Sequence, residues 1–417
     1  MRHRSSLLGL MLLLACGARA EVATSSAELM PRAVTQLEAR SAGLVAFRHD
    51  LHRHPEPSGE EARTAGRIAA RLHELGFEVR TGVGGHGVVG VLHGARPGRV
   101  VAFRADMDAV RDDSPDPVDY RSLRAGVRHI CGHDVHVTLG IALAETFAAT
   151  RDAWPGTLLL LFQPAEEAAT GAAAMLAAGA LASPRPDAIF AVHTAPLEVG
   201  TFAASSGALM AARDQLRLVA EGEGAEVALR RIVAQLEAQG DAPPFAPQPN
   251  ASDFVSIAPG EVSSAGMGAG TSATAMLDVS LASDRARERV RSALYAAVAG
   301  EQAAQPQLRL RVHYTPRWIP GVRNDAAAAR RAMASVRAEM GNAALLEDIG
   351  VVPAFSEDFG HLLAQAPGAM LFLGVSNAAR GWVGMPHTPG YVADDAAITV
   401  GARALTRVLL DELLRTP

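Results

Sequence analysis

The segment Cys131-Gly132-His133-Asp134 is the clearest chemical feature of this chain. Cys131 is one of only two cysteines among 417 residues, and the other, Cys16, lies near the N-terminus. A thiolate and an imidazole two positions apart are ligands that bind zinc and its first-row neighbours. A pattern this short also fits a buried cysteine beside a surface histidine. The segment therefore predicts a metal site only if further ligands converge on it.

Further ligand-type side chains occur at distant points of the chain: Asp106, Asp108, His129, His136, Glu166, Glu167, His193 and His387. Each has an ordinary explanation when it is taken alone. Two adjacent glutamates are favoured at a helix N-terminus by the helix dipole. The histidines could be hydrogen-bonded loop residues, and the aspartates could end a strand. The joint pattern is the informative feature, because ligand-type residues recur in several predicted loops.

The hydrophobic pattern predicts the elements that would position these residues. The pattern from about residue 33 to 80 is helical, and helices are also predicted at 135–149, directly after the Cys-His turn, and at the alanine-rich residues 168–180. Buried strands are predicted at residues 88–92, 100–103, 157–162 and 188–192. This alternation is typical of an open α/β sheet.

The ligand-type residues follow the predicted strands. Asp106 and Asp108 follow the second strand, Glu166 and Glu167 follow the third, and His193 ends the fourth. Sites in open α/β sheets form beyond the carboxyl ends of the strands, where the connecting loops meet. The sequence therefore predicts that these residues converge.

The sequence changes character near residue 212. Residues 213–322 contain a Pro-rich stretch, a Gly/Ala/Ser-rich stretch and two predicted helices, and the helix–strand alternation resumes from residue 323. We therefore predict an α/β catalytic domain in two segments, residues 33–212 and 323–417. A smaller α+β domain, residues 213–322, is inserted between them.

The N-terminus predicts export. Residues 1–20 combine arginines, a short apolar core and the small-residue site Ala18-Arg19-Ala20, which together are typical of a signal peptide. We favour cleavage after Ala20 over a lipoprotein attached at Cys16, because leucine before Ala15 is atypical of a lipoprotein site. No later segment has the length and apolarity of a transmembrane helix. In the predicted periplasmic or secreted protein, Cys131 has no partner for an intramolecular disulfide.

The composition excludes several functional classes. The chain is 49% hydrophobic and 20% charged with a net charge of −5, which is ordinary for a globular protein and indicates no nucleic-acid partner. The sequence contains no lysine, so all 39 cationic residues are arginines. A lysine Schiff base and a P-loop lysine are therefore excluded.

The ligand-type residues predict metal-dependent amide hydrolysis. Two divalent metals could be held by a set of thiolate, imidazole and carboxylate ligands, with the thiolate shared: Cys131, His133, Glu167, His193 and His387. Glu166 remains as a free carboxylate. Beside a metal-bound water, such a carboxylate can accept a proton and return it to the leaving nitrogen of an amide.

Seven stretches of this chain resemble the amidohydrolase branch of the aminoacylase and carboxypeptidase-G metallopeptidase family, which includes hippurate hydrolases and hydrolases of auxin–amino acid conjugates. The stretches, in family order, are His54-Pro55-Glu56, Phe103-Arg104-Ala105-Asp106-Met107-Asp108, residues 129–136, Gln163-Pro164-Ala165-Glu166-Glu167, Ala191-Val192-His193, Ser356-Glu357-Asp358-Phe359 and Pro386-His387. The resemblance implies an open-sheet catalytic domain with a dinuclear metal site. It also implies that residues 213–322 form a lid domain, which is often used for homodimerisation in this family.

The resemblance further implies a role for each site residue. The metal ligands of the site would be Cys131, His133, Glu167, His193 and His387, and the general base would be Glu166. Asp106 and Asp108 would support the ligands without binding metal. Zinc or manganese is the expected metal, ahead of cobalt or nickel.

The predicted lid domain departs from the family pattern. Relatives carry Gly-Gly-His-Gly-Ala early in the lid, and its histidine helps to hold substrate. Here Glu221-Gly222-Glu223-Gly224-Ala225 stands in that place, without a histidine. The family's later Gly-Thr-Val-Arg stretch is also missing. The substrate-binding residues are therefore unassigned, and Arg230, Arg231 and Arg317 are candidates to replace the lost anchor.

Three functional hypotheses follow. The main one is hydrolysis of an amide bond in a small N-acyl amino acid or dipeptide-like substrate. The second keeps the site but assigns it to an amide or carbamoyl compound without a free carboxylate. The third is a periplasmic metal-binding protein without catalytic activity.

Overall fold

The computed structural model describes residues 25–241, 253–258, 260–267, 270–353 and 355–416. The predicted signal peptide, Cys16 and the Pro-rich stretch at 243–249 lie outside the described residues. Within the described ranges, no helix has the length and apolarity needed to cross a membrane.

The described residues form helices and strands that alternate along much of the chain. The helices are α1 (Ser26–Arg53), α2 (Ala62–Glu74), α3 (His133–Ala149), α4 (Gly171–Ala177), α5 (Ala225–Glu237), α6 (Asp284–Ala304), α7 (Ala326–Met340), α8 (Gly360–Leu363) and α9 (Ala396–Leu414). The strands are β1 (Glu78–Arg80), β2 (Val88–His93), β3 (Val100–Asp106), β4 (Val110–Arg111), β5 (Val127–Arg128), β6 (Thr157–Gln163), β7 (Ala188–Glu198), β8 (Phe202–Ala204), β9 (Ala212–Glu221), β10 (Val255–Ile257), β11 (Glu261–Ala265), β12 (Ser272–Leu281), β13 (Arg309–Ile319), β14 (Leu345–Glu347) and β15 (Gly368–Ser376).

A large sheet of eight strands has the order β1-β2-β6-β3-β7-β15-β8-β14. Its central strands β6, β3, β7 and β15 are parallel. At one side β2 runs antiparallel to β6, and β1 runs antiparallel to β2. Helices α1, α3, α7 and α9 cover one face, and α4 and α8 lie on the other. Burial on both faces explains why β6 is a continuous apolar run. The open α/β sheet predicted from the sequence is confirmed.

A second sheet of five strands is formed by β9 to β13. Its order is β10-β12-β9-β13, with β11 beside β12, and its pairings are antiparallel. Helices α5 and α6 contribute to a separate apolar core on one face of this sheet. The strand β9 leaves the large sheet region at Ala212, and β13 returns at Ile319.

The helix predicted at residues 33–80 is wrong in its continuity, because α1 ends at Arg53 and α2 begins at Ala62. Pro55 disfavours helical backbone in the residue before it. The carboxylate of Glu56 then accepts hydrogen bonds from the backbone N–H groups of Arg63 and Thr64, in the first turn of α2. The break is therefore built from the residues that follow α1.

Three further boundaries differ from prediction. Strand β7 does not end at His193 but continues to Glu198, because β15 pairs with it as far as that residue. Strand β3 does not end at residue 103 but continues to Asp106, because its pairing with β6 extends to that residue. The helix predicted at 168–180 is confined to Gly171–Ala177. The two strand differences matter for the site, because they place His193 and Asp106 inside paired strands.

Candidate metal centre

The carboxyl ends of three parallel strands meet at one edge of the large sheet. Asp106 is the last residue of β3, Glu166 lies three residues beyond the end of β6, and His193 lies within β7. Residues 131–133 enter α3 at the same edge, and the loop between β15 and α9 adds His387. A cavity of about 180 Å³ opens there, lined by Cys131, Glu166, Glu167, His193 and His387 among others.

The five predicted ligands form two groups that share the thiol. Cys131, His133 and His193 offer ligand atoms that all lie within 4.8 Å of one another. Cys131, Glu167 and His387 form a second such group. The fold therefore brings together all five side chains that the sequence analysis selected.

Each ligand histidine in the first group has one ring nitrogen occupied by a backbone carbonyl. Nδ1 of His133 donates to the carbonyl of Asp108 at 2.8 Å, and Nδ1 of His193 donates to the carbonyl of Thr194 at 2.7 Å. The Nε2 atoms are left to bind a metal, and Nε2 of His193 lies 3.5 Å from Sγ of Cys131. Nε2 of His133 is buried without a hydrogen-bond partner, which fits an atom that binds a metal.

The other two histidines near the motif are not arranged as ligands. Nδ1 of His136 donates to Asp106 at 2.5 Å, and its Nε2 accepts the N–H of Thr194 at 3.0 Å. The ligand atoms of His136, Asp106 and His133 also lie within 4.8 Å of one another, but both ring nitrogens of His136 are already occupied. His129 is buried and belongs to none of the ligand groups found among the described residues.

The electrostatics of the cluster favour a thiolate. Burial by itself would raise the pKa of the Cys131 thiol, but the nearby charges of His133, His193 and His387 outweigh it and hold this pKa well below its usual value. The Cys131 charge in turn raises the pKa of His387 to about 11. A cluster that already stabilises a thiolate suits a soft divalent metal ion.

The two aspartates contact the segments that carry the ligands. The Asp108 carboxylate accepts the backbone N–H of Glu166 at 3.1 Å and that of Glu167 at 3.0 Å. It also accepts the Ser58 hydroxyl at 2.6 Å. Asp106 holds the His136 ring, as described above. These contacts fix the backbone around the cavity, which is the supporting role that the resemblance implies.

A buried arginine joins β3 to the segment at residues 356–359. The Arg104 guanidinium donates to Asp106 at 2.6 Å, to Glu357 at 2.8 and 3.0 Å, and to Asp358 at 3.1 Å. This ion cluster explains why the matching Ser356-Glu357-Asp358-Phe359 stretch lies close to the site. Burial, and after it the charges of Glu357 and Glu167, raise the pKa of Glu166 well above its usual value.

Sequence reasoning missed Glu61. This fully buried glutamate accepts the backbone N–H of Ala165 at 2.8 Å, and Ala165 has the left-handed φ of 51° directly before Glu166. Together with Asp108, Glu61 holds three consecutive N–H groups of the loop that presents Glu166 and Glu167. Because a glutamate just before a helix is ordinary in sequence, no local pattern distinguishes Glu61.

Residues of the second sheet also line the cavity. They are Arg213, Trp318 and Ile319, and Phe355 and Ser356 line the cavity as well. The arginine candidates from the sequence lie elsewhere and pair with acidic residues: Arg230 with Glu226, Arg231 with Glu301, and Arg317 with Asp284. Arg213 has no sequence motif that would have identified it.

The chain matches the model of peptidase family M20/M25/M40 over residues 102–411. A probable hydrolase from Synechocystis is 32% identical over 87% of this chain and 94% of its own length. An N-acetylcysteine deacetylase from Bacillus subtilis is 30% identical over 86% of this chain and 94% of its own length. The crystal structure of a dinuclear metal-binding M20 peptidase from Bacillus subtilis is 27% identical and has a TM-score of 0.76, with 90% of this chain and 99% of that one covered.

Proposed function

This chain belongs to peptidase family M20/M25/M40 and is a metal-dependent hydrolase, and on that premise we propose that it cleaves the amide bond of small N-acyl amino acids. One observation carries the proposal. Four of the five residues in the two ligand groups that share Cys131 line the same cavity as Glu166, a carboxylate that belongs to neither of these two groups. The N-acetylcysteine deacetylase, which aligns with this chain over nearly its whole length, supports the substrate class.

We assign two divalent ions to the two ligand groups, with zinc or manganese preferred for this mixture of thiolate, imidazole and carboxylate donors. When bound, such ions lower the pKa of a water molecule and polarise the scissile carbonyl. The His133 and His193 rings are held in place by their Nδ1–H bonds to backbone carbonyls, so that Nε2 is the ring nitrogen left to bind a metal.

Glu166 performs the proton transfers in this proposal. Its carboxylate takes a proton from the attacking water and delivers that proton to the leaving nitrogen as the C–N bond breaks. The products are the carboxylate of the acyl group and the free amino acid. The raised pKa of Glu166 makes its carboxylate a stronger proton acceptor than that of an ordinary glutamate.

The two enzyme hypotheses differ in whether the substrate carries a free carboxylate. N-acetylcysteine, for which the deacetylase relative is named, carries one, and this supports the main hypothesis over an amidase for substrates without a carboxylate. Comparing an N-acetyl amino acid with its carboxamide tests the choice. We expect the free acid to be hydrolysed with the higher kcat/KM, and a preference for the carboxamide would favour the second hypothesis.

The substitution Glu166→Gln tests the assigned base. We expect kcat for N-acetylalanine to fall by about 10²–10⁴-fold, the usual contribution of a positioned general acid–base, with metal content unchanged. The exposed Glu223, changed to Gln, is the matched control and should keep full activity. Undiminished turnover in Glu166→Gln would refute its role. Bound metal without activity of the unchanged protein on any amide would favour the non-catalytic hypothesis.

Two further proposals concern the whole protein. We propose export through residues 1–20, supported by their signal-peptide pattern. Determining the N-terminus of the protein recovered outside the cytoplasm tests it, and cleavage after Ala20 is expected. We also propose homodimerisation through residues 213–322, as the family resemblance implies, and analytical ultracentrifugation of a protein that lacks those residues provides the test.

A further inference from the structure

Strand β13 carries a bulge at its end nearest the metal centre. The register with β9 is regular up to Thr315, which lies opposite Gln215. The next pair joins Ile319 to Arg213. The chain therefore advances four residues along β13 for two residues along β9. The residues between Thr315 and Ile319 must bulge out of the regular strand pairing.

The bulge brings Trp318 to the cavity. Trp318 and Ile319 both line it, together with Cys131 and Glu166. Phe355 also lines it, and its ring centroid lies 5.8 Å from that of His193. The cavity therefore combines aromatic and aliphatic side chains with proposed ligands.

A buried carboxylate on β9 holds the bulge in place. Asp214 is fully buried, and its Oδ1 accepts the backbone N–H of Arg317 at 2.7 Å. Its Oδ2 accepts the Arg287 Nε–H at 2.8 Å and the Tyr314 hydroxyl. Arg317 has a left-handed φ of 49°, an unfavourable conformation for a residue with a side chain. The Asp214 bond to its N–H stabilises that conformation directly before Trp318.

Adjacent side chains of a strand point to opposite faces of its sheet. Arg213 accordingly reaches the cavity, while Asp214 contacts Arg287 on α6. The same two residues of β9 thus place a cation in the cavity and hold the bulge that places an indole there.

We propose that Trp318 is a specificity-determining residue that selects N-acyl amino acids with an aromatic group next to the scissile amide, and that Asp214 is the residue that positions it. The proposal rests on the proposed function and names its preferred substrates. An aromatic group against the indole buries apolar surface, and aromatic pairs gain about 0.5–1.5 kcal/mol beyond that burial. A small acyl amino acid such as N-acetylalanine offers no such contact.

The test compares N-benzoylglycine, N-acetylphenylalanine and N-acetylalanine as substrates of the full-length, metal-loaded protein. In Trp318→Ala we expect kcat/KM for at least one aromatic substrate to fall about 10-fold or more relative to N-acetylalanine, chiefly through KM. Trp318→Phe should restore most of the preference. Asp214→Ala should reduce the same ratio, whereas a merely structural defect would lower all three rates together.

Tyr314→Phe serves as the matched control, because it removes a hydroxyl bond to Asp214 but keeps the bond from Arg317 N–H. Its substrate preference should equal that of the unchanged protein. If the ratio of kcat/KM for aromatic substrates to kcat/KM for N-acetylalanine is unchanged in Trp318→Ala, the inference is overturned while the proposed function stands. This outcome decides the inference whether or not Asp214→Ala folds. If the unchanged protein hydrolyses none of the three substrates, the proposed function fails and the inference fails with it.

Discussion

The buried Glu61 offers a sharp test of how the Glu166 loop is held. Its Oε1 accepts the N–H of Ala165 at 2.8 Å, one residue before Glu166. The two following N–H groups are held by Asp108 instead. Glu61→Ala therefore removes the hydrogen bond to Ala165, next to the proposed base, and leaves the Asp108 bonds to Glu166 and Glu167.

The magnitude follows from two contributions. A hydrogen bond to a charged acceptor stabilises by about 1.5–3 kcal/mol. The left-handed Ala165 costs about 1–2 kcal/mol, so the loop has a reason to leave this conformation once the bond is lost. A change of 1.5–3 kcal/mol shifts a population by roughly 10- to 100-fold. Because Asp108 still holds Glu166 N–H, we expect kcat to fall near the lower end, by about 10-fold.

The assay measures kcat and KM for N-acetylalanine, metal content, and thermal unfolding. In Glu61→Ala the metal content and KM should stay close to those of the unchanged protein, because Glu167 keeps its Asp108 bond. Glu61→Gln keeps an oxygen acceptor without charge, and its kcat should lie between the two. Glu60→Ala is the control, because the neighbouring Glu60 pairs with Arg111 and Arg124 at the surface.

Two results would refute this reasoning. If folded Glu61→Ala keeps the kcat of the unchanged protein, the loop does not depend on this bond. If kcat and metal content fall in parallel, Glu61 acts through the ligand Glu167 and not through Glu166.

Two other predictions concern metal binding. Burial lowers the pKa of His193, but the Cys131 charge outweighs it and raises this pKa to about 9, so at pH 7 the metal-free ring is protonated. Metal must displace that proton, so the affinity for metal should increase from pH 6 to 9. Calorimetry in buffers of different ionisation enthalpy should show proton release on metal binding. A metal affinity that does not depend on pH would contradict this prediction. Gly132→Ala should abolish metal binding and activity, because Gly132 has a φ of 88° and an added Cβ would lie 2.2 Å from the Tyr391 hydroxyl oxygen. Gly43→Ala, which has no atom within 4 Å of its added Cβ, is the control, and full metal content in Gly132→Ala would show that the turn can adjust.

The central fold was predictable because its signals are local. The apolar run of β6 and the mostly apolar helix after Cys131 can be recognised from consecutive residues. The position of the polar residues after the predicted strands was sufficient to predict a site at one edge of the sheet. The end of β7 was not predictable, because the pairing with β15 that extends it past His193 joins residues far apart in the chain.

The sequence by itself determined which side chains could bind metal and transfer protons, since thiolate, imidazole and carboxylate chemistry belongs to the residue type. Only the tertiary structure decided how those groups are oriented. The ring nitrogen that His133 has left for a metal depends on the carbonyl of Asp108, and the conformation before Glu166 depends on Glu61. Trp318 reaches the cavity from a different sheet. Hydrogen-bond partners and burial are properties of contacts between distant segments, so no local pattern encodes them.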